Sequence, residues 1–513
     1  MKRIIQLILV FLPIWALAQE PQWNWEVDCG DTYMVTAVPD DGYHFVRWSD
    51  GEFDNPREVK DVAGNLSFVA EFASDGQIEI TTEKNLGDLD NGKDVVVMPG
   101  GKLIGDASGK IINTLIIQTD GLASGQVCNF DGIAAQVKKA FMEYRLNPAG
   151  TEASPDLWYA FAVPFPVNVN TGITRKEGCG PASHVYGSDF LIMEYDGQKR
   201  ADTGKGWKRL TGNTLYPGRF YLIGIDGTCN NWLFEKTADG ALLADKSVDV
   251  KQFSSNNPKN SGLNGIANPS LEHLNASGLS AYTCLYDNTT GTYGDPLPLN
   301  QTTFVVGQPF FIQAGADATV NFAAPNSSAP SRYTVAQDAY IRLTLSSTDA
   351  QPSSGWMYIS LHESTTGEYT IGRDFARMDN DATRPHLWCE NYGMQLTAHG
   401  ITMPEEETVV PVVLFVPTQG DYQFSMHTTD LNDYDVELLY QGKTTAQLYD
   451  DQALTLTMAK GSTSDYSIRI RKKAATGLTP TLIQGEGEKM LINGNLYIFQ
   501  GGHVYDAQGA KVK

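Results

Sequence analysis

The residues best suited to chemistry in this 513-residue sequence are carboxylates set in short turns. Asp88-Leu89-Asp90-Asn91-Gly92-Lys93-Asp94 places side-chain oxygens at alternate positions beside a glycine, the opening of a calcium loop. The glycine comes one place early for an EF-hand, and no Glu stands at the bidentate position. Asp379 with Asp381, and Asp430 with Asp433 and Asp435, form shorter versions. Such turns also form without metal, because Asp and Asn side chains accept from nearby backbone N–H groups. Calcium is therefore the only cofactor for which candidate ligands exist. The nine Trp and 23 Tyr could supply a sugar-stacking platform, and Trp207 and Trp356, flanked by glycine and polar residues, are the candidate ligand contacts. Most aromatics of a β protein fill half-buried faces instead.

Catalytic patterns fail on inspection. G-x-S-x-G, H-E-x-x-H and a full Walker A are absent. Gly105-Asp106-Ala107-Ser108-Gly109-Lys110 is one residue short of a phosphate loop, and Ile111 replaces its Ser/Thr. His386-Leu387-Trp388-Cys389 is the most reactive-looking group, read as a core Trp and Cys beside an exposed His. No catalytic residue is assigned, and a non-enzyme is expected.

The elements that must carry these residues are strands. Charged residues are only 19%, with abundant glycine and tyrosine, which suits sheets and turns better than amphipathic helices. Residues 1–18 read as a secretory signal, with Lys2 and Arg3, an apolar core, and Ala16-Leu17-Ala18 for cleavage. No later run is long and apolar enough to span a membrane as a helix. A formal net charge of −22 argues against nucleic acid as a partner. The six cysteines are dispersed with no C-x-x-C pair; Cys179 and Cys229 could staple one unit, or all could be buried thiols.

Residues 19–74 form a first module. Tyr33 to Pro39, Gly42-Tyr43-His44-Phe45-Val46-Arg47-Trp48-Ser49-Asp50-Gly51, Asn55-Pro56-Arg57 and Phe68 to Phe72 read as short one-faced strands, with a hairpin turn at Asp50-Gly51 and Trp48 in the core. These elements resemble the internalin B-repeat, or Listeria-Bacteroides repeat, a β-grasp-like spacer or adhesion module of exported bacterial proteins. Residues 75–150 carry short glycine-punctuated strands, expected as rungs of a β-solenoid or a meander, followed by a helix over Asp131–Leu146 on the spacing of Ile133, Val137, Phe141 and Tyr144. Residues 151–322 contain one plan twice: Trp158 to Phe165, Phe190 to Gly197 and Leu215 to Ile223 are answered by Gly265 to Pro269, Tyr282 to Asp287 and Phe304 to Ile312. The strand endings resemble those of Bacteroides-type exported surface proteins, which implies β-sandwich packing. Ser254 to Gly262 between the copies reads as a polar exposed loop.

A linker at 323–331 leads to an antiparallel β-sandwich over 332–471, and a second linker at 472–484 to a tail at 485–513. That tail reads as a hairpin or three-stranded meander with turns at Asn493-Gly494 and Gly501-Gly502. It resembles the C-terminal tails of type IX secretion cargo, which implies recognition by outer-membrane secretion or attachment machinery. The expectation is an all-β, multi-domain chain: β-grasp-like repeat module, short β-solenoid or meander, paired β-sandwich-like units and C-terminal antiparallel β-sandwich. Its expected place is secreted, on the outer face of a Gram-negative outer membrane. Its expected role is non-catalytic adhesion or surface structure, through a host or cell-surface protein or glycan. The alternative is a secreted glycan-binding or glycan-degrading protein.

Overall fold

The computed structural model describes residues 76–119, 123–145, 158–175, 185–225, 231–288, 291–325, 339–349, 352–378 and 381–473, with shorter stretches of the first 74 residues and of the tail. The chain is all-β and divided among several sheets. In the first module Tyr33–Val35 pairs with Arg57–Val59, and Tyr43–Trp48 with Leu66–Ser74. Trp48 is fully buried, donates its indole N–H to the Asp54 carbonyl at 2.9 Å and lies beneath the Arg57 guanidinium. The Asn55 amide accepts from the Ala37 N–H at 2.8 Å and donates to its carbonyl at 2.7 Å, supplying the bonds that a neighbouring strand would. Lys2–Val10, within the stretch read as a signal, pairs with Gln22–Asp28 and with Leu66–Ser74. The expected turn at Asp50-Gly51 lies outside the described residues.

The next segment is a β-solenoid. Gln77–Ile80, Lys93–Val97, Ile112–Thr119 and Val137–Arg145 stack in parallel on one face; Glu83–Asn85, Lys102–Ile104 and Gln126–Cys128 stack in parallel on the other. Corner glycines let successive rungs close. A Cβ on Gly101 would sit 2.0 Å from the Ile80 carbonyl oxygen, and one on Gly125 would sit 2.2 Å from that of Val97.

The expected helix over 131–146 is not formed. Asp131–Ile133 is a turn, Ala134–Gln136 a single 3-10 turn, and Val137–Arg145 a strand, here β1. β1 is hydrogen-bonded along both edges, by Ile112–Thr119 and by Asn231–Glu235, and Ala140 to Tyr144 are buried in succession, so both faces are covered there and the apolar spacing loses the period of two. It is at once the last solenoid rung and the first strand of the duplicated region, and solenoid and first unit share one core.

The duplication is plain in the strand order. After β1 come β2 (Trp158–Phe161), β3 (Val167–Asn168), β4 (Ile173–Arg175), β5 (Phe190–Tyr195), helix α1 (Gly197–Thr203), β6 (Trp207–Arg209), β7 (Thr214–Leu215), β8 (Tyr221–Ile225) and β9 (Asn231–Glu235). The second unit has β10 (Ser247–Val250), β11 (Leu263–Ala267), β12 (Leu274–Ser277), β13 (Tyr282–Asp287), β14 (Thr292–Tyr293), β15 (Thr303–Phe304), β16 (Pro309–Gln313) and β17 (Ala318–Ala323). One sheet runs β2-β8-β5-β6 in the first unit and β11-β16-β13-β14 in the second. On the opposite layer β1 pairs with β9 as β10 does with β17, and the split strand β3/β4 does the work of β12. Register agrees to the residue: Phe161↔Tyr221 and Tyr195↔Trp207 answer Ile266↔Phe310 and Tyr286↔Tyr293.

The C-terminal region is a single eleven-stranded sheet curled over one core. Its strands are β18 (Ala339–Ser347), β19 (Ser354–His362), β20 (Phe375–Ala376), β21 (His386–Asn391), β22 (Met394–Thr402), β23 (Glu407–Val416), β24 (Gly420–Thr429), β25 (Tyr434–Tyr440), β26 (Lys443–Leu448), β27 (Ala453–Met458) and β28 (Gly461–Lys472). The order is β26-β25-β28-β23-β21-β22-β19-β18-β24-β27, with β20 on β22. Two sandwich halves thus join through β21, and the β19–β22 pairing is parallel where antiparallel strands were expected. Alternating Ile341, Leu343 and Leu345, with Phe424 beside Leu345 on the neighbouring β24, share that core with Ile468 and Ile470. In the tail Glu488–Ile492, Asn495–Gln500 and His503–Asp506 form a three-stranded sheet, paired only with one another among the described residues. The linker residues 326–338 and 474–487 lie outside the described residues.

Candidate functional site

The β2-β8-β5-β6 and β11-β16-β13-β14 sheets turn one face each toward the other, and β19, β20 and β22 close the third side. Ala160, Phe220 and Leu222 from the first unit, Tyr282 and Phe311 from the second, and Tyr358 and Phe375 from the curled sheet make one apolar cluster. Polar clamps fix this junction. Arg384 reaches across to the buried Asp295 carboxylate at 2.5 Å, Trp356 donates its indole N–H to the Pro296 carbonyl at 2.8 Å, and Tyr369 donates to the Gln313 side chain at 2.5 Å.

Where the three parts fail to meet fully, a cavity of about 440 Å³ remains, within the usual range for small-ligand pockets. Its walls are aromatic: Tyr195, Trp207, Tyr293, Phe311 and Phe375. Trp207 stands edge-on to Tyr195 at 5.2 Å and to Phe220 at 5.1 Å. Its rim is cationic, with Arg200, Lys205, Lys259 and Arg377. No Asp or Glu lines it among the described residues, in a chain whose formal net charge is −22.

Local structure explains how these residues arrive. Asp196-Gly197, at the end of β5, starts α1: Asp196 is the N-cap and accepts from the Lys199 N–H at 2.9 Å. That amide and the Lys208 ammonium hold the Asp196 carboxyl below the usual carboxylate range. A Cβ on Gly197 would lie 2.3 Å from the Phe253 ring, so glycine lets α1 settle on the second unit. Gly204, at φ 74°, ends the helix in the left-handed conformation and turns Lys205 to the rim. The Tyr195 hydroxyl and the Arg200 Nε are buried without a hydrogen-bond partner. Burial pushes the Tyr195 phenol up, partly opposed by the Arg200 charge, and the Tyr293 phenol up against the pull of Trp207. Arg377 stacks over Trp388 at 4.3 Å and donates to Gln395.

The sequence candidates scatter. Trp207 is in the pocket wall, whereas Trp356 is a clamp between the second unit and the curled sheet. Asp88 and Asp90 are exposed; Asp88 accepts from Asn85, while Asp94 accepts from Asn113 on the next solenoid rung at 3.0 Å. Asp379 lies outside the described residues. Asp381 is buried and accepts from the Thr383 N–H and hydroxyl. Asp430 takes a left-handed backbone, Asp433 is exposed, and Asp435 lies 3.9 Å from the Lys473 ammonium. The ligand-type group that does converge among the described residues is His427 with Asp450 and Asp451, partly open to solvent. His386 is buried rather than exposed, bonded through Nε2 to the Asp381 carbonyl and packed on Phe415. Cys389 points into the core on the other face of β21, its thiol pushed up to about 12 by burial, so no Cys-His nucleophile forms. Cys128 and Cys284 are also buried free thiols, and Cys29, Cys179 and Cys229 fall outside the described residues.

The rim residues Arg200, Lys205, Lys259 and Arg377 were missed because they come from three distant segments, Lys259 from the loop read simply as exposed. Aligning the two copies would have flagged Tyr195 and Trp207 with Tyr286 and Tyr293 as repeated aromatic pairs.

Residues 24–76 match the divergent InlB B-repeat domain family. That module supports a bacterial surface or structural protein. No curated protein and no solved structure gives a significant match to the chain. Among the described residues no helix is long and apolar enough to cross a membrane.

Proposed function

We propose that the chain is an exported, non-catalytic binding protein of the bacterial cell surface, which holds a carbohydrate in the pocket between its paired units and its curled sheet. The first module and the leader-like residues 1–18 support the surface address; the tail over 485–513, a small separate sheet, serves export or attachment at the outer membrane. The observation that carries the binding role is the pocket itself. A half-buried Trp among four other aromatics offers flat apolar faces to a sugar ring, and rigid sheets from three sides pre-organise it. Adhesion to a host or neighbouring cell then follows from display of this pocket on an exported scaffold.

The test is a glycan array probed with the purified chain and with Trp207→Ala, alongside immunolabelling of intact cells. Surface labelling with glycan binding that Trp207→Ala abolishes is the expected result. Cytoplasmic protein, or an array on which the wild type binds nothing, overturns the reading.

A further inference from the structure

We infer that the pocket is complete only while the curled sheet is docked on the paired units, so that Asp295 and Arg384 are positioning residues for binding and the bound saccharide acts as a further clamp across the junction. This rests on the carbohydrate reading above and adds its control. The lining is divided between the two bodies: Tyr195, Trp207, Tyr293 and Phe311 come from the paired units, Phe375 and Met378 from the curled sheet. Each body has apolar cores of its own, and among the described residues no strand pairing crosses between them. Docking is therefore an equilibrium separate from folding, held by the shared apolar cluster and by side-chain clamps.

The charged clamp sits outside the cavity. The buried Asp295 carboxylate accepts from the Arg384 guanidinium at 2.5 Å and from the Trp356 N–H at 3.3 Å, both on the curled sheet. The Trp356 indole adds its bond to the Pro296 carbonyl at 2.8 Å. None of these residues lines the pocket. Removing one partner of a buried ion pair strands the other charge in the docked state, whereas separation returns it to water, so the penalty falls on docking. A saccharide that touches both bodies binds the docked form better, and its apparent affinity falls with the docked fraction. By reciprocity, filling the pocket strengthens the clamp.

The test uses the full chain on the glycan array, then the free form of the array glycan that the wild type binds best. Amide exchange at Trp356, whose N–H donates across the junction, reads docking. Saturating glycan is expected to slow that exchange in the wild type, although Trp356 lies outside the cavity. Arg384→Met is expected to speed it and to weaken binding about tenfold, the loss that follows when about one molecule in ten stays docked. Trp356→Phe, which keeps an aromatic ring and gives up the bond to Pro296, should move both readings the same way by a smaller factor. Leu456→Ala is the control: it weakens the curled sheet's own core and is expected to lower thermal stability while leaving affinity unchanged. An equal loss of affinity in Leu456→Ala overturns the positioning role. Binding at wild-type affinity in Arg384→Met, still lost in Trp207→Ala, overturns the coupling and leaves the carbohydrate reading standing, as does Trp356 exchange that saturating glycan leaves unchanged. An array on which the wild type binds nothing overturns both.

Discussion

The two copies of the repeated unit share strand order and register, yet only the first builds a helix between its third and fourth sheet strands. In the second unit Tyr286-Asp287 passes almost at once into β14, the Gly291 N–H closing on the Asp287 carbonyl at 2.9 Å. In the first unit the equivalent Tyr195-Asp196 opens α1, and the longer excursion delivers Arg200 and Lys205 to the cavity before the chain returns at Trp207. The scaffold is thus duplicated while the site is not. One insertion, placed where the second unit faces it, converts a pair of equivalent aromatic strand pairs into an asymmetric pocket.

The two units differ first in their cores. Phe161, stacked on Phe234 at 5.0 Å, belongs to the core that runs on into the solenoid, whereas its counterpart Ile266 belongs to the smaller core of the second unit. Phe161→Ala is expected to cost about 3 to 5 kcal/mol and Ile266→Ala about 2 to 4 kcal/mol, read by denaturant unfolding. If the two cost the same and unfold one common transition, the cores are coupled more tightly than their packing shows.

A smaller effect separates the two Tyr-Asp strand ends. Asp196→Ala removes a helix cap and the partner of Lys208, and is expected to cost about 1 to 2 kcal/mol and to loosen the pocket. Asp287→Ala removes no helix cap and should leave the Lys199 and Arg200 amides as in the wild type. Hydrogen exchange of the Lys199 and Arg200 amides reads the difference directly.

The smallest expected effect concerns how the second unit is tied to the solenoid. The first shares strand β1 with it; the second relies in part on His273, whose Nε2 meets the Ser124 hydroxyl at 2.9 Å while that hydroxyl accepts from the Val306 N–H at 3.1 Å. Burial lowers the pKa of His273 from 6.5. The neutral form therefore favours the folded state, so its contribution is complete above about pH 6.5 and declines as pH falls below it, where the unfolded chain takes up the proton first. Thermal melts of His273→Gln from pH 7 to pH 5 should fall less steeply than those of the wild type. Parallel slopes would remove His273 from this role.

These contrasts also mark what the sequence made legible. The repeat was readable because strand ends reuse residue types, as in Tyr195-Asp196 and Tyr286-Asp287. The solenoid was readable from glycine corners such as Gly101 and Gly125. Val137 to Arg145 was misread as a helix because a strand buried on both faces carries no alternation, and Val137, Phe141 and Tyr144 fall at helical spacing by coincidence. The pocket was legible only as Trp207. Its other walls meet through packing among β6, β14, β16 and β20, and no local pattern announces that Lys205, Lys259 and Arg377 face one cavity.

The most direct test of the account removes the asymmetry itself. Residues 197–205 are replaced by a short glycine-containing turn like that of the second unit, and the full chain is titrated with the glycan that the wild type binds. Cooperative unfolding is expected to survive, because the duplicated sheets remain, and binding to fall below detection. Binding that persists at wild-type affinity in the shortened chain would contradict it.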